Sequence, residues 1–249
     1  MTEATTGGEE RGVRCRVLIP AFREAGRIGI VVRGVRSLDL PVLVVDDGSP
    51  DATATEAEAA GADVVRHSRN RGKGAAIATG LAHLEGMSLD CVVTLDADGQ
   101  HLAADIPSFL DAFRRDRPAA IVGNRMDRPV GMPLVRRLTN FYMSWLLSRR
   151  MGQRVPDTQC GFRLYRADVL RLLVGGDERF AAESEVLLRI SAAGHRIASV
   201  PIRVIYRDEK SKIRPIRDTI RFWRMLKGQA RGPASAAGRT TSDNRRDGQ

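Results

Sequence analysis

Cys91-Val92-Val93-Thr94-Leu95-Asp96-Ala97-Asp98-Gly99-Gln100-His101 begins as an apolar, β-branched run and stops at two carboxylates one residue apart. The run reads as a buried strand, and Asp98-Gly99 as the turn that ends it. In extended backbone, residues two apart point to the same side. Asp96 and Asp98 can therefore face one hard divalent cation, Mg or Mn, with the amide oxygen of Gln100 nearby. An Asp-rich turn also caps strands with no metal at all, and this stretch alone fits both readings.

Working outward, the pattern repeats. Val42-Leu43-Val44-Val45 runs into Asp46-Asp47-Gly48-Ser49-Pro50-Asp51. Two buried strands that end in carboxylates point to one site, because ligands of open α/β sheets bind beyond the carboxyl ends of the strands. Around them the apolar spacing alternates between period 2 and period 3.6. It predicts strands over 15–19, 42–45, 63–66, 91–95 and 120–122, and helices over 27–37, 52–60, 75–84 and 106–114. That is the rhythm of a mostly parallel sheet. The second half differs: a long apolar and basic helix over 134–151, a short strand at 162–165 and a helix at 183–193, expected to build the acceptor side. Over 216–226 the residues Ile216, Thr219, Ile220, Phe222, Trp223 and Leu226 share one helical arc beside Arg217, Arg221 and Arg224. This basic amphipathic stripe suits equally a membrane surface and the protein's own core.

A chain of 249 residues holds one sizeable α/β core. The expected organisation is one catalytic domain over 14–229 between disordered tails at 1–13 and 230–249, which lack apolar periodicity. Three cysteines, Cys15, Cys91 and Cys160, are far apart, without metal-type spacing or a secretory signal, and read as reduced and cytosolic. No apolar run approaches the roughly 20 residues that cross a bilayer. The net charge of +10 is uneven, with ten Lys and Arg against three acids over 203–231. Such a segment suits anionic lipid or another polyanion. Nucleic acid is not expected, since aromatics are few and no recognised binding motif interleaves with the charge.

Taken in order, Ile19-Pro20-Ala21-Phe22-Arg23-Glu24, Asp46-Asp47-Gly48-Ser49, Arg69-Asn70-Arg71-Gly72-Lys73-Gly74, the Asp96 to His101 turn, Gly123-Asn124-Arg125, Gln159-Cys160-Gly161-Phe162-Arg163 and Ser211-Lys212 resemble the family 2 glycosyltransferases of GT-A fold. Within that family they resemble the dolichol-phosphate mannosyltransferase-like branch. Each piece is short; their order and spacing are specific. The resemblance implies an inverting transfer of a sugar from a nucleotide-diphosphate donor, GDP-mannose or a UDP-hexose, to a polyprenyl phosphate. It implies peripheral attachment to the cytoplasmic membrane face. Oligomeric state stays open.

By motif position, Pro20, Ala21, Glu24 and Asp47 match residues that contact the base or ribose, and Val45, Lys73, Asp96 and Ala97 complete the donor set. Asp98, with Asp96 and Gln100, matches the metal site, where a divalent cation neutralises the leaving diphosphate. Arg125, Arg163 and Lys212 match positions that contact phosphates, a task suited to guanidinium and ammonium groups. Glu183 and Glu185 lie where many relatives carry a catalytic base. A phosphate acceptor is already ionised and needs none, so Glu185 then orients the site or begins a helix.

Rival classes fit less well. A haloacid-dehalogenase-like phosphatase wants Thr or Val where Gln100 stands. A sugar-nucleotide pyrophosphorylase wants a Gly-rich loop after the first strand, and a dinucleotide dehydrogenase wants G-x-G-x-x-G there. Gly72-Lys73-Gly74 is not a P-loop, since no Ser or Thr follows Lys73. A non-catalytic scaffold of this fold would be expected to lose the acidic turn or the arginines, and both are present. Transfer to a hydroxyl acceptor, with Glu183 or Glu185 as base, is the alternative within the family.

Overall fold

The computed structural model describes residues 12–127, 129, 131–173 and 182–205. Seven strands, β1 (Cys15–Ala21), β2 (Val42–Asp46), β3 (Asp63–Arg66), β4 (Cys91–Thr94), β5 (Ala120–Asn124), β6 (Arg163–Arg166) and β7 (Ile197–Pro201), form one sheet of order β3-β2-β1-β4-β6-β5-β7. Six run parallel, and β6 alone runs antiparallel to both its neighbours, β4 and β5. Interspersed are α1 (Ile28–Arg36), α2 (Thr53–Ala59), α3 (Lys73–Leu84), α4 (Ile106–Asp116), α5 (Leu134–Met151) and α6 (Ala182–Ala192), with 3₁₀ turns at Ala103–Asp105 and Ala167–Leu173.

The expected α/β class holds. Apart from Arg16 in β1 and the polar residues that end β2, β4 and β5, these four strands are apolar because both faces are covered. Edge strand β3 is only half-buried and carries Asp63 and Arg66 at its ends, charges that discourage further pairing. On one face α3 packs over Leu18, Leu43, Val45 and Val92 through Ala76, Leu81 and Leu84. Gly80 sits directly over Leu18, where a Cβ would overlap that side chain. Toward the β5 side, Phe109 of α4 stacks on Phe162 with ring centroids 4.4 Å apart.

Three differences from expectation bear on the site. Helix α3 begins at Lys73 rather than residue 75, with Gly72 at φ 96° just before it, so Lys73 stands in the first turn. Strand β4 ends at Thr94, so Asp96 lies just beyond it and Asp98 in the turn that follows. The short strand at 163–166 lies inside the sheet between β4 and β5, and β7 has no counterpart among the expected strands. The antiparallel β6 enters at the edge where its parallel neighbours end, which delivers Arg163 beside Thr94 and Val122. The tails, Lys212 and the helical stripe over 216–226 lie outside the described residues, as does the side chain of Glu183.

Candidate active site

Where β1, β2 and β4 end, the chain opens a cleft of about 200 Å³ lined by Pro20, Ala21, Phe22, Glu24, Asp47, Lys73, Ala76, Asp96, Ala97 and Asp98. Eight of these were expected from sequence. The register explains the convergence: Ala21 lies beside Asp46 and Leu18 beside Thr94, so the residues just after each strand share one edge.

Lys73 Nζ and Asp96 Oδ1 are 2.5 Å apart across the cleft. Burial would raise the Asp96 carboxyl, but Lys73 above all, then His101 and Arg125, outweigh it and hold Asp96 down to about 2. The pair also borders a second, narrow cavity of about 40 Å³, whose other walls include Ile77, Leu95, Gly161, Arg163, Tyr165 and Val186. Gly161 is what lets the pair sit there. A Cβ on it would meet Asp96 Oδ2 at 2.5 Å and Lys73 Nζ at 3.0 Å.

Asp98 is half-buried and accepts a hydrogen bond from the Gln100 amide at 2.9 Å, which closes the turn. The turn is then pinned to the chain after β7: Ile205 N donates to Gln100 O at 2.9 Å, and His101 bridges Val204. His101 is buried against Phe162, its Nδ1 lacks a hydrogen-bond partner, and burial pushes its imidazole below the usual value despite Asp96 and Asp98.

Asp47 is 2% exposed and its oxygens are engaged. They accept from the backbone amides of Arg71 at 2.8 Å and Gly72 at 2.7 Å, and Oδ1 lies 2.7 Å from His67 Nδ1. His67 Nε2 is in turn 2.9 Å from Thr79 Oγ1. Asp47 thus fastens the loop leading into α3 and sets where Lys73 stands. Gly48 permits this at φ 71°, since a Cβ would strike the backbone of Arg69 at 2.5 Å. Val45 lies wholly within the β2 core.

Arg125 and Arg163 are almost fully buried. Arg125 forms a fork with Asp157, Nε to Oδ2 at 2.6 Å and Nη2 to Oδ1 at 2.8 Å, while its backbone amide donates to the same carboxylate. Arg163 donates to the carbonyls of Cys160 at 2.7 Å and Thr158 at 2.8 Å and to the Tyr165 hydroxyl at 3.1 Å. Both guanidinium groups therefore shape the 157–161 loop that carries Gly161. Glu185, on α6, accepts from Arg189 Nη2 at 2.6 Å. Cys160 is buried, which pushes its thiol up to about 12, and it packs rather than reacts.

Sequence reasoning missed His67 and Asp157. Asp157 lies two residues before the Gln159 to Arg163 motif, and a lone His after a strand carries no spacing signal.

A divalent cation fits the oxygen ligands of this turn. Among the described residues no group of three or more His, Cys, Asp and Glu side chains gathers as a closed metal site. Asp98 lines the cleft and offers it a hard carboxylate oxygen, the ligand type of Mg sites that phosphates complete, while Gln100 is placed beside it by its backbone amide.

The chain matches the profile of the family described as glycosyl transferase family 2 over residues 16–173. It is 30% identical over 213 residues to a UDP-N-acetylglucosamine–dolichyl-phosphate N-acetylglucosaminyltransferase of Methanococcus voltae, covering 76% of this chain and 85% of that one. It is 27% identical over 209 residues to an undecaprenyl-phosphate mannosyltransferase of Micrococcus luteus, covering 79% and 85%. In fold it resembles glucosyl-3-phosphoglycerate synthase of Mycobacterium tuberculosis, solved with Mn2+, UDP and phosphoglyceric acid, with a TM-score of 0.68 at 21% identity over 90% of this chain and 81% of that one. With its GT-A sheet, its acidic turn at the strand ends and these relatives, the chain belongs to glycosyl transferase family 2 and is a glycosyltransferase.

Proposed function

We propose that the protein transfers a hexose, with inversion, from a UDP- or GDP-sugar to a polyprenyl phosphate, working peripherally at the inner face of the membrane. An acceptor phosphate oxygen attacks the anomeric carbon, the bond to the donor diphosphate breaks, and the nucleoside diphosphate leaves. One observation carries the choice of acceptor: the Glu185 carboxylate, at the motif position where many relatives carry a base for a hydroxyl acceptor, is engaged by Arg189 at 2.6 Å. An ionised phosphate needs no base. Relatives named for dolichyl and undecaprenyl phosphates support the same reading.

Asp98 and Gln100 would hold the Mg or Mn ion, which would supply charge neutralisation for the leaving diphosphate. Lys73 places a cation at the first turn of α3, where helix amides also favour phosphate. Asp96 keeps Lys73 in position rather than serving as a lone metal ligand. Pro20, Ala21 and Glu24 form the wall for the nucleoside, and Asp47 holds the loop behind it. Arg125 and Arg163 act as positioning residues through the 157–161 loop, in place of the direct phosphate contact that their motif positions imply.

The test is a donor panel with purified protein, Mg or Mn and detergent-dispersed polyprenyl phosphate, scoring glycolipid. Product from one donor, lost with chelator or with Asp98→Asn, is the expected result. Product only when a glycan or glycolipid hydroxyl replaces the phosphate would overturn the acceptor and assign Glu183 or Glu185 as base.

A further inference from the structure

We propose that the outward face of α5 docks this protein onto an anionic lipid surface. The proposal rests on the polyprenyl-phosphate reading for its biological sense, but its evidence is separate. Six large apolar side chains of α5 are exposed: Leu134 at 73%, Val135 at 64%, Leu138 at 67%, Phe141 at 63%, Tyr142 at 45% and Trp145 at 51%. At 100° per residue they fall within an arc of roughly 120°. The opposite face, Asn140, Met143, Ser144, Leu147 and Met151, is buried. The helix is thus satisfied on its inner side and still presents a continuous apolar stripe outward. Patches of this kind on a folded chain mark a partner surface.

The chemistry of the helix selects the partner. Its eighteen residues include three exposed arginines, Arg137, Arg149 and Arg150, a half-buried Arg136, and no Asp or Glu. A second copy would bring the same positive charge against this one, whereas anionic headgroups complement it. Tyr142 and Trp145 pair at 6.3 Å between centroids, and the guanidinium of Arg149 lies 5.9 Å from the Trp145 ring. Aromatic rings beside arginine suit the boundary between acyl chains and headgroups. Among the described residues no helix is long and apolar enough to cross a membrane, so α5 would lie in the interface.

The inner face ties this surface to the active site. Ser144 Oγ accepts from the Thr158 amide at 2.9 Å, and Ser148 Oγ both accepts from the Val155 amide at 2.9 Å and donates to its carbonyl at 3.1 Å. These bonds hold the loop that carries Asp157 and Gly161. Docking α5 therefore brings the lipid surface to the loop whose Gly161 walls the second cavity beside Lys73 and Asp96.

The experiment uses the full chain and vesicles that contain neither donor nor polyprenyl phosphate. In a Trp223→Phe background Trp145 is the sole tryptophan. Expected are cosedimentation with phosphatidylglycerol-containing vesicles but not with phosphatidylcholine alone, and quenching of Trp145 by brominated acyl chains. In Leu138→Glu/Phe141→Glu the bound fraction should fall on the order of tenfold, with an unchanged circular dichroism spectrum and retained turnover on detergent-dispersed acceptor. An unquenched Trp145, vesicle binding untouched by the double substitution, or a vesicle-free dimer that this substitution splits would each overturn the proposal. Quenching here, beside a donor panel on detergent-dispersed polyprenyl phosphate that yields no glycolipid, would instead leave docking standing and overturn the acceptor.

Discussion

Gly161 is the residue on which the cleft depends most narrowly. Its φ is not in the left-handed region, so alanine there brings no backbone strain, only a methyl group against Asp96 and Lys73. Displacing that pair by about an ångström is expected to lower kcat/KM on the order of a hundredfold. Steady-state kinetics beside a thermal melt would show activity falling with little change in stability. The Arg125–Asp157 fork is the opposite case, since both partners are buried. Asp157→Asn removes the buried carboxylate that Arg125 forks onto and should destabilise the protein by about 3–5 kcal/mol. Arg125→Met/Asp157→Leu should recover much of that in urea unfolding, because removing both charges removes the desolvation cost. The acidic turns, the Gly72-Lys73 step and Arg125 were all legible as chemistry-bearing residues. Their partners were not, because Lys73 and Asp96, or Arg125 and Asp157, meet only after distant segments have packed.

The strands and helices before residue 122 follow closely from apolar spacing, since each is a local pattern backed by buried packing. Helix α5 matches its expected limits, 134–151, for the same reason. Strand β6 is legible as a strand, yet nothing in four residues states that it runs antiparallel between β4 and β5. Strand β7 escapes because Ile197–Pro201 contains Ala, Ser and Pro and pairs with β5 on one side only. The contact between α3 and β1 gives this scale its own prediction. Gly80→Ala adds helix propensity but forces a methyl group into Leu18, which is wholly buried among Leu43, Val45 and Val92. Overpacking should outweigh the propensity gain and cost about 1–3 kcal/mol. Adding Leu18→Val should restore part of the urea midpoint; a stabilised Gly80→Ala would show that α3 shifts freely over the sheet.

Across the molecule, no group of three or more His, Cys, Asp and Glu side chains gathers as a metal site among the described residues, so cation and nucleotide should bind as a unit. Mg or Mn with UDP or GDP together, at about a hundred times the apparent Kd, should stabilise the fold by about 2.7 kcal/mol. For a chain of this length that raises Tm by roughly 5–10 °C. Either component alone should do much less, and Asp98→Asn should abolish the joint effect. Equal shifts from metal alone would point to a preformed metal site instead. The sequence by itself determined the α/β alternation, the family and the residues that bear charge at the strand ends, because these are local patterns and ordered motifs. Only the tertiary structure decided that Lys73 closes on Asp96 over a glycine, that Asp47 holds the loop before α3 through the Arg71 and Gly72 amides, and that Arg125 and Arg163 are buried against the 157–161 loop. Charge partners, unlike apolar periodicity, are set by which strand ends become neighbours in the sheet.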